Sequence, residues 1–148
     1  MTRKKSNRNN ERGSTLVEFA IGVTVFVMAM FAVVEFGRAL WVHNALTDAA
    51  RRGARYAALH TAADVAKVQN VVVYGNEDGT GEPMLNNLTT GQVDVDYNDF
   101  GLNDGTVSVS ITEYEFEFVI PIIGTTITMP SYKTTLTAES AGLIPSDI

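Results

Sequence analysis

The residues best placed to do chemistry lie near the start of the chain, in the run Arg12-Gly13-Ser14-Thr15-Leu16-Val17-Glu18-Phe19. Glu18 stands just inside an apolar stretch, where an ionisable group is costly and usually has a partner. A structural alternative is that Thr15 and Glu18 form a capping box and that Glu18 complements the helix dipole. That alternative explains each residue separately, but it does not explain why a carboxylate lies at the entrance of an apolar run.

A second candidate is the acidic segment that contains Asp94, Asp96 and Asn98, which have the first three ligand spacings of an EF-hand loop. Asp99 and Gly105, however, occupy the positions where that loop needs a glycine and a bidentate glutamate. A solvated acidic loop from Asp94 to Asp104 is therefore favoured over a calcium site.

The remaining titratable residues do not form a pattern typical of catalysis. His43 and His60 are too far apart along a helix to share a metal ion, and the chain has no cysteine. Nucleophile-elbow, phosphate-loop and zinc-protease motifs are absent from the sequence. We therefore predict no enzymatic activity, no cofactor, no metal and no small-molecule substrate.

The charges are unevenly distributed along the 148 residues. The first 13 residues carry five basic groups and one acid, a net charge of +4, which leaves −10 for the remainder of a chain whose total is −6. A basic start is typical of a segment that stays in the cytoplasm while an acidic remainder crosses the membrane. The acidic remainder also argues against nucleic-acid binding.

An apolar run from Leu16 to Phe36 follows this basic leader. Its 21 or so residues span roughly 30 Å as a helix, which matches the hydrocarbon core of a bilayer. We predict a leader over 1–13 and a transmembrane helix over 14–38. An ordinary signal peptide is the alternative, but its apolar part would be shorter. The predicted anchor residues are Leu16, Phe19, Ile21, Val25, Phe26, Met30, Phe31 and Val34.

The helix is predicted to continue over 39–62, where Ala and Arg dominate and proline is absent. A line of small residues at helical spacing (Ala45, Ala49, Gly53 and Ala57) allows another backbone to approach closely. Two interpretations remain open: packing on the chain's own sheet, and packing between subunits.

Residues 63–148 are predicted to form a small antiparallel β-sheet domain, so that the fold class is α+β with the long N-terminal helix packed on the sheet. Period-two alternation and β-branched residues carry this prediction. The predicted strands are 71–74 (after a possible short helix), 93–97, one long strand from 107 to 118, and a further pair at 125–129 and 132–138.

The N-terminal residues resemble the type IV prepilin signal, in which a glycine precedes a glutamate by five residues after a basic leader. The resemblance implies cleavage by a prepilin peptidase between Gly13 and Ser14. It also implies that the Glu18 carboxylate meets the new N-terminal amine of a neighbouring subunit.

More specifically, Val17-Glu18-Phe19-Ala20, the Ala/Arg helix from Ala45 to Ala57 and the segment Asn70 to Asn76 resemble the TadE-like family, from Gly13 to about Ala138. That family comprises pseudopilins or minor pilins of tight-adherence (Flp) pili. Phe19, where major Flp subunits tend to carry Tyr, favours a minor component. The resemblance implies an inner-membrane protein with its C-terminal domain outside the cytoplasm. It implies as partners the membrane, the peptidase, other pilins and the assembly platform. An uncleaved membrane scaffold is the alternative.

Overall fold

The computed structural model describes residues 8–99, 105–119 and 126–137, and the side chains from residue 13 onward. The first residue of the predicted strand 125–129, the end of the predicted acidic loop at Asp104 and the predicted strand end at Ala138 lie outside the described residues, as do the first seven residues of the leader.

One long helix, α1 (Arg8–Ala58), forms the N-terminal part of the chain. Its last turn tightens, because the backbone N–H groups of Leu59 and His60 donate to the carbonyls of Tyr56 and Ala57. The chain divides into two units, Met1–Arg38 and Ala39–Ile148, so that α1 contributes to both.

The C-terminal unit contains an antiparallel sheet of three strands in the order β1-β2-β5. The strands are β1 (Val93–Asn98), β2 (Thr106–Ile111) and β5 (Tyr132–Thr137). The register pairs Tyr97 with Val107 and Val107 with Leu136, so these apolar residues lie on one face of the sheet. This face forms the core together with the small residues of α1.

The second half of α1 crosses this apolar face diagonally. The His43 ring contacts Tyr132 on β5, Gly53 lies against Val109 on β2, and the Tyr97 hydroxyl on β1 donates to the Ala57 carbonyl. The helix–sheet contacts confirm the predicted α+β fold, with a long helix packed on a small antiparallel sheet.

The predicted strand at 71–74 is wrong, because helix α2 (Val65–Tyr74) runs through it. Val68 and Val72 are fully buried one turn apart, and burial of such a stripe outweighs the β preference of valine. Gly75 ends the helix in the left-handed conformation (φ 78°) and donates its N–H to the Val71 carbonyl. A 3-10 turn (Ala62–Asp64) precedes α2.

The prediction of one long strand from 107 to 118 is also wrong, because the strand ends at Ile111. Glu113 has a φ of 55°, and the next strand, β3 (Glu115–Glu117), belongs to a second sheet in which it pairs with β4 (Thr126–Thr128). The predicted strands at the end of the chain therefore pair with β3 and β2, not with each other. The strand residues that point into the core have odd numbers up to Ile111 and even numbers from Tyr114 onward. This change of parity is the sequence signal of the break.

Gly53 gives a direct test of this packing. A Cβ at Gly53 would overlap Cγ2 of the buried Val72 and lie 3.3 Å from Val109 Cγ1. Gly53→Ala is expected to lower the free energy of unfolding by about 1 kcal/mol, since overpacking outweighs the gain in helix propensity. The measurement is denaturant unfolding of the detergent-solubilised protein.

The matched control is Gly91→Ala, because nothing lies within 4 Å of a Cβ at that position. It should change the free energy of unfolding by less than about 0.5 kcal/mol. A Gly53→Ala protein more stable than the wild type would contradict the packing described here.

Candidate processing site and membrane anchor

The first half of α1 presents an unusually apolar surface. Its predicted anchor residues are exposed to between 53% and 70%. The most apolar 18-residue window in the helix segment Gly13–Ala58 has a mean hydropathy of 2.4, and none of it is buried. A core helix of a water-soluble protein would be mostly buried, so this segment fits a membrane anchor. A signal sequence also meets this test of length and composition, although its apolar part is usually shorter.

Glu18 lies on this bare helix and is exposed. α1 begins at Arg8, so Thr15 is not an N-cap and the capping-box interpretation of Thr15 and Glu18 is wrong. Across the described ranges, no ion pair or hydrogen bond involves the Glu18 side chain. A carboxylate at this depth of an apolar helix needs a partner, and the described chain does not supply one.

Glu35 at the other end of the apolar run differs from Glu18. An Arg38 Nη2 donates to Glu35 Oε2 at 3.0 Å, one helical turn away, and Glu35 is only 6% exposed. This ion pair neutralises the acid where the apolar run ends. The sequence analysis assigned no partner to Glu35, although the i,i+3 spacing of Glu35 and Arg38 is a known signal for such a pair.

Gly13 and Ser14 lie within α1 and are exposed. Nothing lies within 4 Å of a Cβ built on Gly13, so the surrounding structure does not require a glycine there. A glycine in a helix costs about 1 kcal/mol relative to alanine, which makes local unwinding at Gly13 easier. The bond between Gly13 and Ser14 therefore lies at a weak and accessible point of the helix.

The small-residue line of α1 is used inside the chain. Ala49 and Ala57 are buried, and Gly53 lies against Val72 of α2 and Val109 of β2. Ala45 is half-buried beside the core. The structure thus supports packing of this line on the chain's own sheet and α2, while a role for it between subunits stays a prediction.

The other candidates do not form a site. Asp94 and Asp96 are exposed on β1, so the first half of the predicted acidic loop is a strand, and no metal-binding group of three or more His, Cys, Asp or Glu occurs in the described residues. His43 Nδ1 lies 2.9 Å from the Tyr132 hydroxyl, whereas His60 stacks on Tyr56. Both histidines therefore have packing roles.

Tyr56 and Glu77 link α1 to the loop after α2. The Tyr56 hydroxyl donates to Glu77 Oε2 at 2.7 Å, and this hydrogen bond to a carboxylate raises the pKa of Tyr56 from 10.0 to about 12. The neutral phenol is favoured in the folded protein. The stabilisation is therefore complete below pH 10 and is lost as the pH rises from 10 towards 12.

We expect the Glu77→Gln variant to ionise one tyrosine at lower pH than the wild type. Ultraviolet absorbance of tyrosinate over this range measures the change, with Tyr56→Phe as the control that removes the same phenol from the titration. Superimposable titrations of the wild type and Glu77→Gln would show that the hydrogen bond does not control the pKa of Tyr56.

Comparison with known proteins was informative for the N-terminal segment. The protein-family model described as TadE-like protein matches residues 13–55, which begin at Gly13 and include the apolar run and most of the second half of α1. The match confirms the TadE-like resemblance over these residues, and residues 56–138 lie outside it. No curated protein and no solved structure was found to match.

Proposed function

We propose that this chain, whose residues 13–55 are TadE-like, is a minor pilin or pseudopilin that takes part in assembly of a tight-adherence (Flp) pilus. The observation that carries the proposal is the exposed apolar surface of the first half of α1. Near its start lies Glu18, an exposed acid without a partner in the described chain. Apolar surface of this extent has to be covered by lipid or by the helices of other subunits. In a subunit that moves from the membrane into a fibre, this surface is covered first by lipid and then by the helices of other subunits.

In this proposal a prepilin peptidase cuts between Gly13 and Ser14. The cut removes the basic leader and creates an ammonium group at Ser14, four residues before Glu18. An ammonium and a carboxylate are each costly in an apolar setting and are tolerated as a pair. Glu18 of one subunit therefore receives the amine of its neighbour, which aligns the two helices along their axes.

The proposed location is the inner membrane, with the leader in the cytoplasm and the C-terminal unit outside. Lys and Arg near a membrane-spanning helix remain on the cytoplasmic side, and the leader carries five of the 11 basic residues. Trp41 is 60% exposed just beyond the apolar run, at the position of an interfacial aromatic. The proposed partners are the peptidase, other pilins and the assembly platform.

A second candidate function is that of a permanent membrane scaffold for an envelope machine. The observation in its favour is that α1 runs without interruption from Arg8 through Gly13, as it would in a chain that is never cut there. In that case Glu18 stays with an uncut N-terminus. The two functions predict different N-terminal residues for the protein isolated from the membrane.

The experiment that tests pilus assembly is removal of the protein from a strain that makes tight-adherence pili. We expect surface pili to be lost or strongly reduced while the major subunit is still synthesised, and to return when the wild-type chain is supplied. Electron microscopy of pili with immunoblotting of the major subunit measures this. Pili of normal number in the strain without the protein would contradict the proposed function.

A further inference from the structure

Met84 closes the loop that follows α2. Its backbone N–H donates to the Val73 carbonyl at 2.8 Å, so that residues 75–83 begin and end at the C-terminal end of this helix. The Met84 side chain lies against Gly75, where a Cβ would be 3.0 Å from Sδ, and Met84 is 51% exposed. The side chain is therefore accessible to solvent while its backbone is held in place.

The Met84 sulfur has a cationic neighbour. Arg52 Nη2 donates to Met84 Sδ at 3.0 Å, and Arg52 Nε donates to the Val71 carbonyl at 3.4 Å. Among the residues that the structure describes, no carboxylate forms an ion pair with Arg52. A guanidinium has five N–H donors and a thioether is a weak acceptor, so these contacts leave much of the hydrogen-bonding capacity of Arg52 unused.

Methionine carries all of the sulfur chemistry of this chain, which has five methionines and no cysteine. Met28 and Met30 lie in the first half of α1, whose exposed apolar surface needs a cover of lipid or detergent. Met129 is half-buried beside the core, and Met1 lies outside the described residues. Met84 is therefore the methionine that a water-soluble oxidant reaches most readily in the described part of the C-terminal unit.

We propose that Met84 is a site of oxidation by hydroperoxides and that Arg52 binds the resulting sulfoxide. A lone pair of Sδ attacks the distal oxygen of the hydroperoxide, so that an S–O bond forms as the O–O bond breaks. The sulfur is oxidised by two electrons. The other oxygen is reduced and takes up the hydroxyl proton, leaving as water when the oxidant is hydrogen peroxide. This inference does not depend on the proposed function.

The sulfoxide changes how tightly the loop is held. Its oxygen accepts a charge-assisted hydrogen bond from the guanidinium, whereas the thioether accepts only weakly. Rotatable bonds let the Met84 side chain turn the new oxygen towards Arg52, and Gly75 has no side chain in the way. Oxidation is therefore expected to strengthen the link between α1 and this loop, although in an apolar core it would disrupt packing.

The test treats the full chain in detergent with hydrogen peroxide and follows each methionine by peptide mass spectrometry. Met84 should gain one oxygen about five-fold faster, or more, than the half-buried Met129. Amide hydrogen exchange of the peptide that contains Gly75 and Met84 then measures opening of the loop, because both N–H groups are hydrogen-bonded to α2. This exchange should be about three-fold slower in the oxidised wild type than before treatment.

Three variants identify the groups responsible. Arg52→Leu removes the donors and should abolish the slowing, because the sulfoxide then lacks its partner. The matched control is Arg55→Leu, which changes an exposed arginine one turn further along α1 and should keep the slowing. Met84→Leu removes the sulfur, so its loop should not respond to peroxide. Circular dichroism of each variant checks that the fold is retained.

Three outcomes would overturn the proposal. The first is a wild type in which Met129 gains oxygen as fast as Met84. The second is an oxidised wild type whose loop exchanges as fast as before treatment, or faster. The third is slowing that persists in folded Arg52→Leu, which would show that Arg52 does not bind the sulfoxide. The first two outcomes need only the wild type, so they decide the matter even if Arg52→Leu does not fold.

Discussion

Glu18→Gln is expected to reduce the number of assembled pili by ten-fold or more while the chain is still made, inserted and processed. The substitution keeps the size of the side chain and removes its charge. The ammonium at the processed N-terminus then enters an apolar environment without its partner, at a cost on the order of 3 kcal/mol for an unpaired charge within a membrane helix. Each 1.4 kcal/mol corresponds to a factor of ten in an equilibrium.

The measurement is the pilus count per cell by electron microscopy, with immunoblots of the variant protein and its processed size. Thr24→Ala is the matched control, because Thr24 is an exposed polar residue of the same helix whose hydroxyl only donates to the Ala20 carbonyl. It should leave pilus numbers at the wild-type level. Normal numbers of pili in the Glu18→Gln strain would remove the proposed role of Glu18.

Gly13→Val is the second substitution with a large expected effect. A side chain at Gly13 meets nothing within 4 Å, so the variant should fold and insert as the wild type does. A branched residue next to the scissile bond should lower the rate of processing by more than about ten-fold, since a peptidase pocket shaped for glycine discriminates strongly by size. The uncut precursor is therefore expected to accumulate in the membrane.

Immunoblotting for precursor and mature forms measures this effect. Gly22→Val is the matched control, because Gly22 lies on the same exposed helix and a Cβ there also meets nothing within 4 Å. That variant should be processed normally. A chain that runs at one size in the wild type, Gly13→Val and Gly22→Val, in cells with normal pili, would favour the fixed scaffold over the pilin.

Much of the architecture could be predicted from residue spacing. The apolar run, the α+β fold and the strand at Val93 to Tyr97 follow from local patterns of period 3.6 or 2. Residue types alone predict a strand for the valines at 71–73 because valine favours strands locally, whereas Val68 and Val72 are buried together only in a helix. Tertiary burial of this kind is not visible in a single segment.

Part of the candidate site could likewise be predicted from the sequence, and part could not. The position of Glu18 in an apolar run could be found from the sequence, and so could Gly13. The Glu35–Arg38 ion pair was missed, although its spacing is local and both residue types were evident. The small-residue line allowed two kinds of packing, and only the contact of Gly53 with Val72 and Val109 shows which one the chain itself uses.

In the proposed function, the chain is cut between Gly13 and Ser14 to expose an amine for a neighbouring Glu18. The most direct test is mass spectrometry of the N-terminal peptide of the protein extracted from the membranes of cells with an active prepilin peptidase. We expect a chain that begins at Ser14 in these cells and retains its leader in cells without the peptidase. A chain that retains residues 1–13 in both would contradict it.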